Sequence, residues 1–246
     1  MTSQSRSDLI DSLRGIAVAL MVIYHFSYDL TYFRIVIFDF HHHLFWLSFR
    51  SFIVSLFLGI VGVSLYLAHH KGIRWKAARQ RLFILLACSL LISLVSYFLF
   101  PGRTIVFGIL HFITVASLIA LMFVRYPLVS LLVGVTLIII GNKVSHETFN
   151  QLWIHWLGLT THRPKTEDYV PMLPWLGVVL CGLTVGHLLL KTSIGQRILA
   201  SQNVVSRSRL LTWAGRHSLW IYMLHQPVLF ALLWMATSVI KLTIGA

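Results

Sequence analysis

The sequence predicts an all-α fold, a polytopic membrane helical bundle of about seven transmembrane helices with its N-terminus in the cytoplasm. Three observations predict it. Of 246 residues, 57% are apolar and only 11% are charged, and mean hydropathy is +0.81, which leaves too little polar surface to cover a soluble globule of this length. The apolar residues fall in runs of roughly 20, the length that crosses a hydrocarbon core about 30 Å thick. The basic residues gather in alternate connections between those runs, as they do in multi-pass proteins. The whole chain, 1–246, reads as a single transmembrane domain.

Spans are expected at 9–27, 45–68, 81–99, 104–124, 127–142, 171–190 and 214–239. The first opens on Asp8, Asp11 and Arg14 rather than on a basic stretch, and no small-residue cleavage pattern follows before Tyr24 and His25. It is expected to be a retained helix, not a signal peptide. The second carries Arg50 a short way inside its outer end, behind Trp46. The third follows Lys71, Arg74, Lys76, Arg79 and Arg81, and so begins at the cytoplasmic face. The fourth holds His111, the fifth is the shortest, and the sixth holds His187. The seventh contains Pro227, which cannot donate to the carbonyl of Met223 and leaves a polar acceptor beside His225 and Gln226 near mid-membrane.

The outer connections hold few basic residues, Arg34, then Arg103, then Lys143, Arg163 and Lys165. The N-terminal tail and the inner connections hold Arg6, Arg14, the five between 71 and 81, Arg125, Lys191, Arg197, Arg207, Arg209 and Arg216. The excess of Lys+Arg, 20 against 7 Asp+Glu, gives a net charge of +13. In a soluble protein that balance points to nucleic acid; here it marks cytoplasmic helix ends facing anionic membrane lipid, and no nucleic-acid partner is expected. Of the long outer connections, 28–44 and 143–170, the second carries Trp153, His155 and Trp156 and suits a short interfacial helix. The basic, Ser-rich segment 191–213 is expected on the inner membrane surface. Cys88 and Cys181 lie inside apolar runs, so they read as packing residues rather than a disulfide or a zinc site.

Ionisable groups at membrane depth are costly and call for a partner or a task. Asp11 and Arg14 are three apart on one helix face, fit either for a surface ion pair or for Arg14 to meet an anionic ligand from the cytoplasm. His25 and Asp29 are four apart at the outer end of the same helix, where the carboxylate could orient the imidazole as a base. Asp39 precedes His41, His42 and His43; neighbours on an extended chain point opposite ways, so a general base is a sharper reading than a metal site, and no metal is expected. Arg50 could snorkel to the outer interface, pair with Asp29 or Asp39, or hold a polar substrate. Gly215, Arg216, His217 and Ser218 lead into His225 and Gln226, and His111 could line the same cavity, whereas His187 reads as a satisfied core residue.

Five segments in this order resemble the membrane domain of the heparan-α-glucosaminide N-acetyltransferase family, within the wider transmembrane acyltransferase group. They are Ile10 to Gly15 with Met21 to His25; Phe45 and Trp46 through Arg50 to Leu58–Leu65; Gly108 to Ile113; Asp168 to Trp175; and Gly215 to Ser218 with His225 to Pro227. The resemblance implies transfer of an acetyl or similar acyl group from cytoplasmic acyl-CoA, with acetyl-CoA as donor, to a sugar outside. The family's catalytic histidine lies in the first non-cytoplasmic loop three residues before a Trp, which His43 and Trp46 match, with His41 and His42 adjacent. Where the family has an Asn near the outer end of span one, this chain has His25. The departure leaves His25 and His43 both open as the base and leaves open whether the acceptor is an amine.

The resemblance and the basic inner rim together make Arg14, His111, Arg216, His217, His225 and Gln226 the expected donor-binding groups, and His43, His25, Asp29 and Arg50 the expected catalytic ones, with Arg50 facing the oxyanion. The chain is shorter than the better-known members and without their luminal N-terminal domain and several later spans, so a cell-envelope glycan or lipid-linked sugar is a more plausible acceptor than heparan, in a bacterial inner membrane. A homo-oligomer is compatible with this reading. A transporter or flippase for a polar lipid or glycan would line a pathway with the same groups, though no inverted repeat is visible. A non-catalytic membrane subunit whose basic inner face docks a partner would leave the His25 and Asp29 pair on the outer side without a task.

Overall fold

A computed structural model describes residues 7–99, 102–164, 166, 168–200 and 208–244; Arg6, Lys165 and Arg207 lie outside them. Among the described residues the secondary structure is helical throughout, with α1 (Asp8–Tyr32), α2 (Leu44–His69), α3 (Trp75–Leu99), α4 (Ile109–Phe123), α5 (Pro127–Lys143), α6 (Met172–Lys191), α7 (Ser193–Ala200), α8 (Arg209–Arg216) and α9 (Ser218–Ile244). The all-α membrane fold stands. Five helices, α1, α2, α3, α6 and α9, are long and apolar enough to cross a membrane. The two between them, α4 and α5, have 15 and 17 residues, about 22 and 26 Å of axial rise, which is less than an ordinary hydrocarbon core.

Three expected boundaries shift. The span expected from 104 starts at Ile109, because the amide of Ile109 donates to Asp168 Oδ2 at 3.0 Å and the chain before it is tied down by serines of α3. Ser93 Oγ donates to the Ile105 carbonyl at 2.6 Å, and Ser96 Oγ accepts the Ile105 amide at 3.0 Å. The span expected over 214–239 is divided at His217 into α8 and α9. The interfacial helix expected in 143–170 is instead a pair of 3₁₀ turns, Glu147–Asn150 and His155–Leu157. The phenol of Tyr169 donates to the His155 carbonyl at 2.6 Å, and burial pushes its pKa up.

Contacts divide the chain into two compact units, Met1–Phe57 with Leu199–Ala246, and Leu58–Ile198. In the first, α1 packs on α8 and α9. Lipid supplies little hydrophobic drive for helix association, so close backbone approach at small residues has to provide the packing. Gly15 and Gly215 do this: a Cβ on Gly15 would land on the Leu211 carbonyl, and one on Gly215 on the Asp11 carbonyl. Beside them the buried Ser12 hydroxyl meets Thr212 Oγ1 at 2.7 Å.

In the second unit α5 packs along α6, and α4 packs on α3 and α6. Gly134 and Gly177 face each other across the α5–α6 contact, and Gly62 on α2 meets Val179 and Gly182 on α6. Hydroxyls close the polar accounts of these faces: Ser130 Oγ donates to the Leu180 carbonyl at 2.9 Å and Thr184 Oγ1 to the Pro127 carbonyl at 2.8 Å. Cys88 and Cys181 are free thiols. His187 is half-buried and hydrogen-bonded, with Nδ1 2.6 Å from the Tyr66 hydroxyl.

Candidate active site

At the start of α1 two aspartates and two arginines meet. Asp11 is 2% exposed; it accepts from Arg14 Nη1 on Oδ1 at 3.0 Å and from Arg216 Nε on Oδ2 at 3.3 Å, while Arg216 Nη2 reaches Asp8 Oδ1 at 2.7 Å. The close α1–α8 crossing at Gly15 and Gly215 is what brings Arg216 to Asp11. A buried carboxylate needs such partners, so these arginines are first of all a tie between α1 and α8. Their side chains differ in access, 17% exposed for Arg14 and 45% for Arg216, which leaves Arg216 the better placed to meet a second anion. Next to it, His217 is exposed, its ring 4.8 Å from that of Trp213 and its Nδ1 2.8 Å from the Trp213 carbonyl.

Eighteen residues along α1 from Asp11, about 27 Å of helix, lies a second polar group. His25 and Asp29 of α1 face His225 and Gln226 of α9. The imidazole centroids of His25 and His225 are 5.0 Å apart, and Gln226 Nε2 donates to Asp29 Oδ1 at 2.7 Å. The expected His25–Asp29 pair does not form, because the carboxylate, 2% exposed, takes the amide of Gln226 instead. Asp29 Oδ2 and Gln226 Oε1 are buried without a hydrogen-bond partner among the described residues. His225 Nδ1 lies 2.7 Å from the Tyr222 carbonyl. A carbonyl can only accept, so Nδ1 carries the proton and, in the neutral ring, Nε2 is the basic nitrogen.

The first outer loop is fastened to α1 by aromatic rings. Phe40, 4% exposed, packs against Trp46 at 4.4 Å and Tyr24 at 5.4 Å between ring centroids, and Tyr24 sits edge-on to His25 at 5.7 Å. Asp39 Oδ1 accepts the amides of His42 and His41 at 2.9 and 3.0 Å, and those bonds, His42 first, hold its carboxyl below the usual range. His43 Nδ1 accepts the Phe45 amide at 3.3 Å. With Nδ1 an acceptor, neutral His43 presents Nε2–H, a donor. Arg50 is half-buried on α2; of the carboxylates considered for it, Asp29 bonds Gln226, and Asp39 bonds the His41 and His42 amides and the His42 ring.

In the second unit His111 has both ring nitrogens occupied, Nε2 by Ser93 Oγ at 3.1 Å and Nδ1 by the Gly108 amide at 3.3 Å. It is a fastening of the α4 entry. Among the described residues no three His, Cys, Asp or Glu side chains converge as a ligand set.

Sequence reasoning missed Asp8 and Thr212 as partners across α1–α8, and Phe40 as the anchor of the loop. One signal for the first was present: Asp11 and Gly15, four apart, mark the face of α1 on which α8 lies. No curated protein and no solved structure matches the chain. The family model for the heparan-alpha-glucosaminide N-acetyltransferase catalytic domain matches residues 6–227. With nearly the whole polar framework of α1, the first outer loop and the start of α9 inside that match, this multi-pass membrane chain belongs to the heparan-alpha-glucosaminide N-acetyltransferase catalytic family, a family of membrane acetyltransferases.

Proposed function

We propose that this protein transfers an acetyl group from acetyl-CoA on the cytoplasmic side to a hydroxyl or amine of a cell-envelope glycan or lipid-linked sugar on the outer side of a bacterial plasma membrane. The observation that carries the reading is the meeting of His25 and Asp29 with His225 and Gln226 deep on α1 and α9. The two buried oxygens without a donor, Asp29 Oδ2 and Gln226 Oε1, favour a ligand rich in O–H or N–H groups. Each such unfilled acceptor costs about 1–3 kcal/mol, and a sugar brings the donors that would fill it.

The chemistry assigned to these residues is general-base acyl transfer. The acceptor oxygen or nitrogen attacks the thioester carbonyl carbon while the Nε2 of His225, oriented through the Tyr222 carbonyl, takes its proton. The carbon–sulfur bond then breaks, and the protonated imidazole returns the proton to the departing thiolate. His25, in ring contact with His225, is the neighbouring proton carrier. Arg50 and the Nε2–H of His43 are the groups suited to the developing oxyanion. Arg216 and His217 are suited to the donor's phosphates, with Arg14 and Asp11 fixing the helix that carries them.

The test supplies acetyl-CoA carrying a labelled acetyl group to the detergent-purified protein with a panel of amino sugars and neutral sugars. Label appearing on a sugar, with one free CoA thiol per acetyl moved, is the expected result. Label that stays on CoA with every acceptor, without thiol release, overturns the reading.

A further inference from the structure

The second unit carries a charge that no carboxylate of its own balances at one end. Between Asp39 and Glu147 the sequence has no Asp or Glu, and after Asp168 it has none. The acidic residues of Leu58–Ile198 are therefore Glu147, Glu167 and Asp168, all in the connection before α6. At the other end of α3, the turn from α2 and the first turns of the helix bring Lys71, Arg74, Lys76, Arg79 and Arg81. At 3.6 residues per turn, Arg74 and Arg81 fall on the stripe of the buried Ala78, Leu85 and Ser89, whereas Lys76 and Arg79 fall on other sides of the helix. Arg81 and Arg74 both act electrostatically on His69, the last residue of α2. His69 is 6% exposed, and its Nδ1 accepts the Arg74 amide at 3.2 Å. The neutral ring then presents Nε2–H as a donor, and no acceptor among the described residues takes it. The turn is fixed by the Gly72 amide, which donates to the His69 carbonyl at 2.9 Å with Gly72 at φ +139°, a conformation that suits glycine.

We infer that His69, Arg74 and Arg81 form a seat for the phosphodiester of one anionic phospholipid, with its acyl chains along Ile84 and Leu91. Two guanidinium groups and a ring N–H are the donors that phosphate oxygens call for. A zwitterionic headgroup would bring an ammonium that no carboxylate at this end of the unit meets. Ile84 and Leu91 lie three and ten residues past Arg81, on its side of α3, and both are exposed, as is Trp75 beside the arginines. An indole at headgroup level and an apolar stripe running away from the charges fit a lipid, whereas a free phosphate has no chain to use the stripe. The general attraction of basic residues to an anionic leaflet acts on all five cations alike; the seat singles out the two that share a face with the buried stripe. Neither polar group of the acetyl-transfer reading contains these residues, so the inference stands apart from it.

The experiment counts the lipids retained by the full chain in native mass spectrometry after release from nanodiscs of phosphatidylglycerol and phosphatidylcholine. Arg81→Gln and Arg79→Gln each remove one exposed positive charge from α3, so the pair separates a seat from diffuse attraction. The wild type is expected to keep one phosphatidylglycerol in preference to phosphatidylcholine, with affinity about tenfold lower in Arg81→Gln and unchanged in Arg79→Gln. A second arm adds inorganic phosphate or coenzyme A to the lipid-loaded protein; neither is expected to displace the lipid. Equal losses in the two variants, or no preference for phosphatidylglycerol, overturn the seat. Displacement by inorganic phosphate or coenzyme A, weakened by Arg81→Gln and not by Arg79→Gln, overturns the lipid as occupant and gives the site to a soluble phosphate.

Discussion

At the scale of single residues, Asp11 has the heaviest structural duty. It is buried and holds Arg14 and Arg216 together; removing it leaves two guanidinium groups with part of their charge uncompensated at a helix crossing. Asp11→Ala is expected to lower stability by about 2–3 kcal/mol, at the lower end for a broken buried ion pair because Arg216 is half open to solvent, and to lower apparent Tm in detergent accordingly. An unchanged Tm would mean that Asp11 is not the tie between α1 and α8. The pairing itself was only half legible in the sequence. The spacing of Asp11 and Arg14 declared their shared face, but Arg216 lies 205 positions away, and periodicity carries no information about which distant helix arrives there. The same reason explains the exchange at Asp29, where the local partner offered by helical spacing, His25, gives way to Gln226.

Among the elements, the helices that form long apolar runs were legible because burial in hydrocarbon demands about 20 residues without interruption. The departures occur where a polar side chain from elsewhere sets the boundary. Asp168 decides where α4 begins, and the serines of α3 hold the chain just before it. The α1–α8 crossing depends on glycine at both contact points, where an added carbon meets backbone that cannot yield. Gly215→Val is therefore expected to cost about 3 kcal/mol or more, read as loss of folded protein on size-exclusion chromatography. Gly59→Ala, where an added Cβ meets nothing within 4 Å, is expected to stay within about 0.5 kcal/mol of the wild type. Equal effects of the two would remove the glycine contact as a determinant of the first unit.

For the whole molecule, the arrangement separates a charged cluster at the start of α1 from a deep histidine pair further along the same helix. That separation suits the proposed reaction, in which the donor is a cytoplasmic polyanion and the acceptor lies beyond the membrane. The sequence named the residues of both groups, but it could not decide which histidine acts, because that depends on the bonds each ring makes. The Phe45 amide leaves His43 as a donor through Nε2, and the Tyr222 carbonyl leaves the His225 Nε2 basic. The most direct measurement is the rate of acetyl transfer from acetyl-CoA by His25→Ala, His225→Ala and His43→Ala, each checked for wild-type apparent Tm. General-base catalysis contributes roughly 10²–10⁴-fold, so a fall of about 100-fold or more is expected in His225→Ala, a fall in His25→Ala, and a smaller loss in His43→Ala. Wild-type turnover in both His25→Ala and His225→Ala would contradict the account and return the chemistry to the outer loop.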